Sequence, residues 1–145
     1  MSKVEDFLTS IQEQEIIEAI RLAEKDTSGE IRVHLEKCSE KNVLERAKEV
    51  FYFLKMDETK QQNGVLFYVA VDDKKFCVLG DKGINEVVSD SFWNSVKDIV
   101  LEEFKKEDFV LGLKKGILET GNKLKHFFPY QENDQNELSD SISLS

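Results

Sequence analysis

Apolar positions along this chain switch between helical and strand periods, and the switches mark out its elements. Over residues 11–26, Ile16, Ile17, Ile20 and Ala23 recur with the spacing of one helix face. Ser10 followed by Glu13 has capping-box spacing, and Thr27-Ser28-Gly29 ends the helix, with Gly29 suited to a left-handed position. From Glu30 to Glu36 the period is two, with Ile31, Val33 and Leu35 on one face and Arg32 and His34 on the other: a strand. Asn42 and Glu45 open a second helix, striped by Leu44, Ala47, Val50, Phe51 and Leu54. A polar connection, 56–62, leads to the continuous apolar run Val65–Val71, a strand covered on both faces. Asp72-Asp73-Lys74 turns the chain into a third strand, Phe76–Leu79. Two more helical stripes follow, Phe92 to Phe104 and Val110 to Phe128.

The predicted order is α-β-α-β-β-α-α. A strand–helix–strand unit of this length implies a right-handed crossover between parallel strands, and the hairpin adds an antiparallel third. Helices on both faces make a three-layer α/β/α sandwich with a mixed sheet. In that topology Glu30, Asn63 and Asp81 fall at one edge of the sheet, where the connection carrying Asp57, Glu58 and Thr59 also arrives. Side-chain oxygens gathered there from four segments form a candidate cation site.

Charge and composition narrow the function. The 145 residues suit one domain, 1–129, followed by a tail, 130–145, that is acidic, serine-rich and expected to be disordered. A net charge of −9 without a basic stripe argues against nucleic acid as a partner. No apolar run reaches membrane-spanning length, and Met1–Leu8 carries Lys3, Glu5 and Asp6 instead of an apolar leader, so a cytoplasmic monomer without a membrane anchor is expected. Cys38 and Cys77 are too few for a disulfide framework. His34 and His126 lack metal-ligand spacing, which disfavours soft-metal sites and leaves hard, oxygen-bound ions.

The stretches T-S-G-E-I-R-V-H-L (27–35), F-L-K-M-D-E-T (53–59), N-G-V-L-F-Y-V-A (63–70) and L-G-D-K-G-I (79–84) resemble the TPM-domain family, as do F-W (92–93), G-L-K-K-G-I (112–117) and L-K-H-F-F-P (124–129). That family includes a plant thylakoid-lumen phosphatase, a nematode acetylcholine-receptor modulator and many bacterial proteins. The resemblance implies an α/β/α fold and a divalent-cation site, with calcium the best-known ion and magnesium the alternative. It also brings acid phosphatase activity, reported for plant relatives.

The expected ligands are Asp81, Glu30, Asp57, Asn63 and Thr59, with Asp108 as an additional candidate. Each has a bland counterpart. Asp81 also suits a plain turn and Glu30 a capping contact with Thr27. Asp57 and Thr59 are ordinary loop residues, and Asn63 can bond the backbone of Gly64. Asp108, just before the last helix, suits an N-cap. Asp72 and Asp73 belong to the hairpin tip at the opposite edge. Two functions follow: a regulatory or interaction module that binds a divalent cation and presents the rim to a protein partner, or a metal-assisted phosphatase using Glu30 as base and Lys82 against phosphate. No Walker loop, nucleophile elbow, Asp-x-Asp or Cys-x5-Arg motif is present.

Overall fold

A computed structural model describes residues 8–130 and 141–144. Helix α1 (Ser10–Glu24) leads to strand β1 (Glu30–Glu36), helix α2 (Val43–Phe53) and a 3₁₀ turn at Met56–Glu58. Strands β2 (Gly64–Ala70) and β3 (Lys75–Gly80) form the hairpin. Helices α3 (Lys82–Asn85), α4 (Asp90–Lys105) and α5 (Phe109–Phe127) follow, and a two-residue strand, β4 (Ser143–Leu144), closes the chain. The sheet order is β3-β2-β1-β4, with β1 parallel to β2 and to β4, and β2 antiparallel to β3.

The predicted crossover and hairpin are both present, and so are the three layers. On one face, Ile31, Val33, Leu35, Val65, Phe67 and Val69 pack with apolar residues of α1, α4 and α5. On the other, Leu66, Tyr68 and Ala70 pack under Ala47, Val50 and Phe51 of α2. All seven residues of β2 are buried, as its unbroken apolar run requires.

Local details depart from the sequence reading. Helix α1 starts one residue early: Thr9 and Gln12 form the capping box expected of Ser10 and Glu13. Thr9 wins because its hydroxyl accepts from the Gln12 N–H while the Gln12 amide oxygen accepts from the Thr9 N–H. Gly29 is not left-handed, and neither is any other described glycine. It is closely packed instead: a Cβ there would lie 2.8 Å from Leu124 Cδ1, so that side chain would have to shift. The tail expected at 130–145 falls largely outside the described residues, but Ser143 and Leu144 pair with His34 and Leu35 as strand.

Candidate functional site at the sheet rim

Backbone bonds draw the predicted segments together at one edge. The Glu30 N–H donates to the Asn63 carbonyl at 3.3 Å, and the Asp81 N–H donates to the Gly64 carbonyl at 2.9 Å. Gly83 is pressed against the 61–62 connection: its N–H donates to the Gln62 carbonyl at 2.8 Å, and a Cβ would stand 2.2 Å from the Gln61 oxygen. Asp57 reaches the edge through the 3₁₀ turn, which is anchored by fully buried Met56 and entered through left-handed Lys55 (φ 58°). Thr59 Oγ1 accepts from the Asn63 N–H at 3.3 Å. Glu30, Thr59, Asn63 and Asp81 are all buried, whereas Asp57 is exposed.

Ser28, missed by sequence reasoning, ties the rim laterally. Its hydroxyl oxygen accepts from Gln61 Nε2 at 3.0 Å and from Asn63 Nδ2 at 3.2 Å. The Asn63 amide is thereby oriented with its carbonyl Oδ1 left as an acceptor. The available signal was Ser28's place one residue before a close-packed glycine at a strand start.

Asp81 is the chemically unusual member. It sits not in a plain turn but at the N-cap of α3, where Oδ1 accepts from the Lys82 N–H at 2.7 Å. Gly80 before it is needed because a Cβ there would lie 2.2 Å from Trp93 Cζ2. The second oxygen, Oδ2, is buried and has no hydrogen-bond partner, although the residue is only 7% exposed. Burial pushes the Asp81 carboxyl above its ordinary range, the Lys82 N–H opposes this, and the charge of Asp57 adds to it. A buried carboxylate oxygen without a protein donor fits a hard cation, which would offset its desolvation.

The acids do not form a ready-made cage. Among the described residues, no group of three or more His, Cys, Asp or Glu side chains is arranged to hold a metal ion. Asp108 also stays away from the rim. It caps α5, accepting from the Leu111 N–H at 3.2 Å, while the other end of that helix meets the rim through Leu124 and Phe128. Nineteen residues of helix separate the two ends.

A second buried polar group lies at the far end of β1. Arg46 grips Glu36 with Nε at 2.9 Å and Nη2 at 2.9 Å, Tyr68 donates its hydroxyl to Glu36, and His34 Nε2 stands 3.6 Å away. His34 Nδ1 meets Ser143 Oγ at 3.0 Å. Burial lowers the His34 pKa, with Glu36 acting against it. This cluster gives His34 a structural role, between Glu36 on its own strand and Ser143 of β4.

Residues 1–123 match the TPM domain. The chain belongs to the TPM-domain family. Over the full length of both chains it is 54% identical to the BA42 protein of the psychrophilic bacterium Bizionia argentinensis, solved by NMR, with a TM-score of 0.93. Two solved N-terminal domains share the fold at lower identity. That of the cg2496 protein of Corynebacterium glutamicum is 12% identical (TM-score 0.64; 94% of this chain and 80% of that one covered). One from P. gingivalis is 18% identical (TM-score 0.68; 83% and 78% covered). No curated protein matches the chain. Among the described residues, no helix is long and apolar enough to cross a membrane.

Proposed function

We propose that this TPM domain is a divalent-cation-binding module, with calcium its principal ion and the rim its interaction surface. One observation carries the reading: Asp81 Oδ2 is a buried carboxylate oxygen without a donor, at an edge where Asn63, Thr59, Glu30 and Asp57 also arrive. Calcium accepts six to eight mixed oxygens at irregular geometry, so amide, hydroxyl, backbone and water oxygens complete what one buried carboxylate begins. Magnesium demands a tighter octahedron and is the weaker candidate. Titration of calcium into the ¹⁵N-labelled chain should shift the amides of Asp81, Asn63 and Thr59 in a saturable way. Shifts confined to the acidic residues beyond Tyr130 would sink the reading.

A second reading is metal-assisted phosphoester hydrolysis, favoured by the position of Lys82 beside Asp81 on the wall of one groove. A bound cation would polarise a phosphoryl oxygen, and Lys82 would hold the phosphate charge. Turnover of a generic phosphomonoester that vanishes in Asp81→Ala supports it. Turnover that survives the substitution rules this site out.

A further inference from the structure

Between α2 and the end of β3 runs an open groove of about 590 Å³, and Asp81 is part of its wall. Phe51, Tyr52 and Leu79 give it apolar surface, and Lys48 and Lys82 give it positive charge. Its size lies within the range of organic-ligand sites, far beyond the needs of a bare inorganic ion. Tyr52 is 62% exposed, an aromatic ring left in water beside this wall.

The charges are balanced in a telling way. Lys48 and Lys82 offset Asp81 and Glu86 on the same walls, so the side chains of the groove together come close to neutral. A divalent ion at Asp81 makes it net positive. The two carboxylates on these walls are already matched by the two lysines, so the charge of such an ion is left for a second anion to balance. Each ligand supplies what the other's site lacks.

We propose that the groove binds an organic anion, a carboxylate or phosphonate carrying an aromatic or branched apolar body, and that this anion and the cation at Asp81 bind cooperatively. The cooperative part rests on the cation reading above. The anionic group lies between the lysines and the ion, contributing oxygens to the ion's shell, while the apolar body covers Phe51, Leu79 and the Tyr52 ring. The coupling is reciprocal: calcium raises the affinity for the anion by the same factor as the anion raises that for calcium.

The test uses the full chain with phthalate, an aromatic dicarboxylate, and malonate, a dicarboxylate lacking the ring. Phthalate should shift the amides of Tyr52, Leu79 and Lys82. Its apparent Kd should fall at least about fivefold when calcium is saturating, with the calcium Kd falling equally when phthalate is saturating. Malonate should bind more weakly than phthalate, and Tyr52→Ser should remove that difference. Lys82→Gln should weaken both anions. Calcium that shifts Asp81 with the same Kd with and without phthalate overturns this inference and leaves the cation reading standing. Calcium that shifts neither Asp81 nor Asn63 in any mixture overturns both.

Discussion

At the scale of single residues, the rim keeps a destabilising group. Burial raises the Asp81 pKa, so in the folded state the carboxyl holds its proton to higher pH than in the unfolded chain. Stability from this group is therefore greatest at acid pH and falls as pH rises from the unfolded pKa through the folded one. Asp81→Asn removes the charge, keeps an acceptor for the Lys82 N–H and offers the site a neutral amide. In calcium-free buffer at pH 7 it should stabilise the fold by roughly 1 kcal/mol, about 3 °C in Tm, and the gain should shrink towards pH 4. Thermal melts across that range check it, and a variant less stable than the parent at pH 7 would contradict the account. The opposite result is expected at Arg46. Removing it takes the guanidinium from buried Glu36 and leaves that charge to the Tyr68 hydroxyl and His34, so Arg46→Ala should cost on the order of 3 kcal/mol in urea unfolding. Asp81 was legible as a rim acid because the hairpin fixes its place. The Glu36–Arg46 grip was not, because residues ten apart meet only once β1 and α2 have packed.

At the scale of elements, the long periodic segments were legible and the short ones were not. The crossover and hairpin follow from apolar periods that tertiary packing has no reason to override, and β1 and β2 pair from Glu30↔Gly64 to Glu36↔Ala70 accordingly. Helix α3 has four residues, one of them glycine, and no stripe to betray it. Strand β4 has two residues in a serine-rich tail, and its pairing with His34 and Leu35 is a tertiary fact. The glycine in α3 has a purpose at this scale. Because backbone oxygens of Gln61 and Gln62 occupy the space where a Cβ would go, Gly83→Ala must push α3 away from the 61–62 connection. Overpacking of this kind costs about 1–3 kcal/mol. Urea denaturation should show that loss, together with weaker calcium binding, since Asp81 caps the displaced helix. A variant with unaltered calcium affinity would separate the helix from the site.

At the scale of the whole molecule, the sheet edge gathers its candidate ligands from segments distant in sequence, so the proposed ion site exists only in the folded chain. An ion that binds the folded state alone stabilises it by mass action, by about 2.7 kcal/mol at a hundred times its Kd. For a chain of 145 residues that is a rise of several degrees in Tm. Net charge complicates the measurement, because a protein at −9 attracts any cation diffusely and relaxes its own repulsion in salt. The two effects differ in form. Diffuse screening follows ionic strength and acts alike on the parent and on Asp81→Asn, whereas site binding saturates and needs the carboxylate. Melts with calcium, against sodium at matched ionic strength, should therefore show a saturable calcium increment in the parent that EDTA reverses and that Asp81→Asn abolishes. An increment retained in that variant would assign calcium stabilisation to the molecule's overall charge and not to its rim.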